Sequence, residues 1–192
     1  MVQLHKKGMI EVVCGPMFAG KTEELIRRIK RLEYAKKKFL VFKPKIDNRY
    51  SQTAIVSHNK NEKKAIEIEK STEILTYDLK NIEAVIIDEA QFFDDQIIKV
   101  VDKLADQGIR VIVGGLDRDF RGDPFGPMPG LLAIAEEVTK LTAICVKTGE
   151  PATRTQRLIN GKPAHYNDPI VLIGAEESYE PRSRDEHIVL GK

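Results

Sequence analysis

Tryptophan is absent, aromatic residues make up only 6% of the sequence, and Cys14 and Cys145 are the only thiols. Two cysteines in 192 residues exclude a disulfide framework as the source of stability and fit a reducing compartment. No apolar run approaches the roughly 20 residues that cross a bilayer. The start, residues 1–7, is basic but lacks the long apolar middle of a signal peptide, so a cytoplasmic location without a membrane partner is expected. Neither sign of charge dominates: 31 Lys and Arg face 29 Asp and Glu, a formal net charge of +2. That balance argues against a general nucleic-acid binder. The densest basic run, Arg27, Arg28, Lys30, Arg31, Lys36, Lys37 and Lys38, reads as a solvated helix face. The three-glycine dinucleotide pattern is also missing, which disfavours an NAD enzyme.

What is present is a strand–helix rhythm. Short apolar, β-branched segments at 9–14, 39–42, 84–87 and 109–113 predict core strands. Helical spacing predicts helices over 23–38, over 97–105 with Gly108 as the stop, and over 129–138. The segment 63–80 reads ambiguously, with a strand at 65–68 and a helix-like stretch at 72–77. Alternation of this kind predicts an α/β domain with a parallel sheet, whose chemistry sits at the carboxyl ends of the strands. From Leu141 onward the character changes. Strands are predicted at 142–146, 154–158 and 169–173, with Asn160-Gly161 as a turn. The expected division is residues 1–140 as a nucleotide-binding domain and 141–192 as a small, mostly β module too thin to be secured by apolar burial alone.

Between the first strand and the first helix stands Gly15-Pro16-Met17-Phe18-Ala19-Gly20-Lys21-Thr22, a complete phosphate-binding loop pattern in its required setting. The glycines let the backbone curl so that successive N–H groups face one anion, and the helix N-terminus adds unpaired donors. Lys21 reaches the β- and γ-phosphates of ATP, and the Thr22 hydroxyl ligates Mg²⁺. Asp88, just past the strand at 84–87, supplies the carboxylate expected to hold Mg²⁺, directly or through water. Glu89 either polarises water, as in an ATPase, or accepts a proton from a substrate hydroxyl, as in a kinase.

The phosphate loop recurs in order with Asp47-Asn-Arg-Tyr50, Asp88-Glu-Ala-Gln-Phe-Phe93, Gly115-Leu-Asp-Arg-Asp-Phe120, Phe125-Gly, Lys140-Leu-Thr-Ala and Gly174-Ala-Glu-Glu-Ser-Tyr179. Together these motifs, spread from Gly8 to His187, resemble the type II thymidine kinases, the zinc-bearing thymidine kinases of bacteria and vertebrate cytosol. The resemblance implies a P-loop NTPase with a RecA-like parallel sheet and a zinc-ribbon-like module bearing a lasso loop, at 156–172. It implies transfer of the ATP γ-phosphoryl group to the 5′-hydroxyl of thymidine, with Glu89 as general base. Asp47 would organise the metal or phosphate region and Arg49 would contact a phosphate. Met17, Leu116, Phe120, Phe125, Leu172 and Tyr179 would form the thymine pocket, where apolar and aromatic surfaces suit a flat pyrimidine. Gln91 and Arg157 are read as helix-end or surface residues and not as ligands. Deoxyuridine as a second acceptor, thymidine triphosphate as feedback inhibitor and a homotetramer are further implications.

One family feature is broken. Two zinc-binding pairs, usually Cys-x-x-Cys each, read here Cys145-Val-Lys-Thr148 and Ser183-Arg-Asp-Glu186. Neutral hydroxyls are poor zinc ligands, so no structural zinc is expected and Cys145 is read as a small buried hydrophobe. Two alternatives stand beside the kinase reading: a generic P-loop ATPase, and a catalytically weakened nucleotide-binding regulatory paralogue.

Overall fold

The computed structural model describes residues 8–45, 65–170 and 177–192. Its centre is a six-stranded sheet built from β1 (Ile10–Cys14), β2 (Phe39–Pro44), β3 (Ile66–Ile68), β4 (Ala84–Ile87), β5 (Arg110–Gly115) and β6 (Glu137–Lys140). The strands run in the order β3-β2-β4-β5-β1-β6, and every neighbouring pair is parallel. Parallel neighbours require crossovers, supplied in part by α1 (Lys21–Tyr34), α2 (Gln96–Asp106) and α3 (Met128–Ile134).

Alternation along the strands divides the core into two layers. Val13, Ile86 and Ile112 pack with Leu25 and Leu32 of α1. Their neighbours Val12, Val85, Ile87, Val111 and Val113 belong to the opposite cluster, with Ile97, Val101 and Leu104 of α2 and Met128 and Leu131 of α3. Helices therefore cover both faces, and the strand ends remain open for a site. Gly108 takes a left-handed φ of 88° after α2, as its role as a stop requires.

Two sequence expectations are corrected here. The helix expected over 129–138 ends at Ile134, and Glu137–Lys140 instead joins the sheet edge beside β1. Glu137 and Val138 are exposed, so this edge strand lacks the apolar signature of the buried ones. Within the basic run, Arg28 is only 5% exposed. It pairs with the buried Glu11, which Arg110 also holds at 2.5 and 2.9 Å, and it donates to Thr139 Oγ1 at 2.8 Å. Arg27 does lie at the surface.

Beyond the sheet, β7 (Ala143–Ile144) pairs with β8 (Pro151–Ala152), and β9 (Arg154–Ile159) is flanked by β10 (Lys162–Pro163) and β11 (Glu177–Arg182), all antiparallel. Asn160 and Gly161, with φ of 50° and 75°, form the two-residue hairpin between β9 and β10. The expected lasso thus begins as a strand and hairpin. Pro169 and Ile170 are not in a strand, and 171–173 lie outside the described residues. Strand β11 was not anticipated from the sequence.

Candidate active site

β1 delivers the chain into the phosphate loop through Gly15, whose φ is 142°. A Cβ there would lie 2.5 Å from the Leu141 carbonyl oxygen, so only glycine fits. Phe18, exposed, also takes positive φ, 64°, and Gly20 at 84° is the left-handed residue from which α1 starts. Lys21 donates from Nζ to the Pro16 carbonyl at 2.7 Å, folding the ammonium back over the loop. Burial lowers its pKa, while the charges of Glu89, Asp88 and Asp117 oppose that shift. Beneath the loop, burial and then the Asp117 charge push the Cys14 thiol up to about 11, which makes it unreactive.

Facing Lys21, β4 ends in the carboxylate pair. Asp88 Oδ1 accepts the Glu89 backbone N–H at 2.9 Å. Burial and then repulsion from Glu89 push Asp88 up to about 6. The oxygens of Asp88 and Thr22 form a hard donor set, and the repulsion between adjacent carboxylates is what a divalent cation relieves, so these residues fit Mg²⁺. Glu89 adopts a left-handed backbone, φ 52°, uncommon for a residue with a side chain. Its Oε2 accepts from Gln91 Nε2, and Gln91 Oε1 in turn accepts the Leu116 backbone N–H at 3.0 Å. Gln91 is therefore a buried bridge, 2% exposed, and not a helix-end surface residue. Gly115 makes room for it, since a Cβ there would come within 2.8 Å of Gln91 Oε1.

The expected thymine-pocket residues divide. Phe120 is buried, with the Arg157 guanidinium 5.0 Å from its ring centroid, and Tyr179 of β11 stands opposite Arg157 of β9 in register. Met17 reaches the same strand: its N–H donates to Thr155 Oγ1 at 3.0 Å. Phe125 instead packs edge-on against Phe92, centroids 5.3 Å apart, and Leu116 is half-buried beside the Gln91 bridge. Asp47, Arg49 and Leu172 lie outside the described residues. Arg157 is fully buried and donates to the Pro169 carbonyl at 2.6 Å, tying the far end of the expected lasso beneath Phe120. Its reading as a surface residue is corrected: the sequence shows one Arg in a polar stretch, and only the pairing of β9 with β11 turns it inward. Thr155 was missed for the same reason.

Three of the four expected zinc positions, Cys145, Thr148 and Ser183, still converge. Burial disfavours the Cys145 thiolate, but the Thr148 hydroxyl and the backbone N–H groups of Ser183, Lys147 and Thr148 outweigh it and bring its pKa to about 6. Cys145 is buried among Ala143, Ala152 and Ala19, as expected of a small hydrophobe, yet its sulfur faces donors. Thr148 and Ser183 do not suit zinc, and among the described residues no group of three or more His, Cys, Asp or Glu is placed to hold a metal ion. His187, next to Glu186, donates from Nε2 to the Phe120 carbonyl at 2.8 Å. Among the described residues no helix is long and apolar enough to cross a membrane.

A phosphate loop facing a carboxylate pair, with Met17, Phe120 and Tyr179 gathered against β9 of the small β module, offers groups for a nucleotide and for a second small molecule. Compared with known protein families, residues 8–187 match the family described as thymidine kinase.

Proposed function

The chain belongs to the thymidine kinase family, whose members phosphorylate thymidine at the expense of ATP, and from that premise we propose the residues that carry the reaction here. The backbone N–H groups from Gly15 to Thr22 cradle the triphosphate, with Pro16, Met17, Phe18 and Ala19 forming the turn, and Lys21 offsets charge on the group in transfer. Thr22 and Asp88 would hold Mg²⁺, which would neutralise charge on the phosphates. Glu89 accepts the 5′-hydroxyl proton as that oxygen bonds to the γ-phosphorus. The bond from γ-phosphorus to the bridging oxygen breaks, and its electron pair leaves with ADP. Gln91 holds the Glu89 carboxylate in place. The observation that carries this assignment is the Gln91 bridge, which fixes Glu89 against the end of β5 while Asp88 lies one residue away.

Met17, Leu116, Phe120, Phe125, Leu172 and Tyr179 hold the base, and Asp47 and Arg49 serve the phosphate region. The position of β5 between the phosphate-loop strand and the Asp88 strand supports a RecA-like arrangement of the sheet. Residues 141–192 act as the substrate-holding module, which keeps its fold without zinc. Hydrogen bonds from Val146 N–H to the Pro181 carbonyl, 3.2 Å, and from Thr153 N–H to the Arg182 carbonyl, 3.1 Å, join the segments that a metal would join. A cytoplasmic homotetramer, inhibited by thymidine triphosphate and accepting deoxyuridine, completes the reading.

An acceptor screen with magnesium-ATP tests it. Thymidine monophosphate should form stoichiometrically with ADP, and ADP should not accumulate at a comparable rate without nucleoside. Acceptor-independent hydrolysis would assign Glu89 to water instead.

A further inference from the structure

Apart from the phosphate loop, a cleft of about 370 Å³ opens where the loop after β5 meets the C-terminal segment. Its size falls within the roughly 300–1,000 Å³ range of small-molecule sites. Arg118, Arg121, Arg154, Arg184 and Lys192 line it, together with His187. In a chain whose formal net charge is only +2, this is a strong local concentration of one sign.

The cations are not equally engaged. Lys192 pairs with Asp123 at 2.8 Å, and Arg118 lies 3.8 Å from Asp117, a carboxylate that Lys140 holds more closely at 2.9 Å. Among the described residues, Arg121, Arg154 and Arg184 have no carboxylate within ion-pair distance. Arg154 is only 6% exposed, and among the described residues its guanidinium bonds only to the carbonyl and hydroxyl oxygens of Thr153, at 3.2 and 3.1 Å through Nη1. Burial, then the charges of Arg118 and Arg184, lower its pKa, and the Asp117 charge offsets only part of that. Arg121 is held by the rings of Phe120 and Tyr166, 5.4 and 5.1 Å from their centroids, and donates to the Asp168 carbonyl at 2.8 Å. Gly122 leaves the floor open: a Cβ there would meet His187 at 3.4 Å and Arg154 at 3.7 Å.

We propose that this cleft is a second anion site, which takes a multiply charged phosphoanion, either free pyrophosphate or the phosphate tail of a nucleotide. A buried arginine without a carboxylate is costly unless an anion joins it. Guanidinium forks match tetrahedral phosphate oxygens, and three unpaired cations call for more charge than one carboxylate carries. Arg121 and Arg154 are anchored before the ligand arrives, while the exposed Arg184 supplies a third donor at the rim.

The test is a titration of the full chain, ¹⁵N-labelled and carrying Lys21→Ala to weaken the phosphate loop, with inorganic pyrophosphate and separately with ADP. Saturable shifts of the Gly122, His187 and Val189 amides are expected. They should occur with both ligands if the phosphates alone are recognised, and with ADP only if the nucleoside contributes. Arg184→Gln, an exposed change that leaves the fold intact, should weaken this binding about fivefold to tenfold, and Arg154→Gln should abolish it if that variant folds. Shifts confined to Gly15–Thr22 with both ligands, or unchanged affinity in Arg184→Gln, would overturn the proposal. Because thymidine phosphorylation is not the readout, failure here leaves the kinase assignment untouched.

Discussion

Asp88 shows how a single side chain can be shaped against the fold that carries it. Its carboxyl sits under the phosphate loop beside a second carboxylate, and its pKa rises from 3.8 to about 6. A raised folded pKa means that ionisation destabilises the protein. The penalty is complete above about pH 6, shrinks as pH falls, and vanishes below the unfolded value of about 3.8. Asp88→Asn removes that ionisation and keeps an oxygen to accept the Glu89 N–H. In magnesium-free buffer at pH 7 the variant should be more stable than the wild type by on the order of 1–3 kcal/mol, the scale of a two-unit shift. The difference should disappear near pH 4, as measured by denaturant unfolding across pH. Equal stability at pH 7 would show that the site holds no such penalty. If Asp88 holds Mg²⁺ as proposed, protons should compete with the cation below about pH 6, and nucleotide affinity should decline there.

The connection from β4 to α2 works as a unit. The left-handed Glu89 opens a 3₁₀ turn, Ala90–Phe92, that swings Gln91 across to the end of β5. Gln91→Leu should leave the Leu116 N–H unsatisfied and release Glu89. If the bridge positions the base, kcat should fall by about tenfold or more while the KM for ATP changes little. A matched rise in KM without loss of kcat would assign Gln91 a purely structural role. Much of this element level was legible in advance. The four core strands and the strand–loop–helix setting of Gly15–Thr22 follow from apolar runs and glycine spacing, which depend on local chemistry alone. Gln91, Arg157 and Thr155 were not legible, because each is polar in a sequence neighbourhood with no periodic signal. Their burial arises only when β5 or β11 closes over them. Strand β6 was hidden for the opposite reason, being exposed and therefore outwardly helix-like.

Across the whole molecule, the buried Glu11 joins β1 to α1 through Arg28 and to β5 through Arg110, while Arg28 reaches β6 through Thr139. This cluster ties the phosphate-loop strand to its own helix and to both of its sheet neighbours. Arg28→Met removes one of the two guanidinium groups on the buried Glu11 and leaves it to Arg110 alone, so it should cost about 1–3 kcal/mol. Adding Glu11→Gln should recover part of that loss, as read from denaturant midpoints; an additive double variant would show that the pair is not coupled. The framework braces the strand and helix on either side of the phosphate loop, and the proposed chemistry rests on Glu89. Single-turnover formation of thymidine monophosphate by Glu89→Gln, with ATP and thymidine binding measured in parallel, addresses that claim most directly. Both ligands should bind nearly as in the wild type while phosphoryl transfer slows by about a hundredfold or more, the usual range for loss of a general base. Transfer at the wild-type rate with both ligands bound would contradict the account.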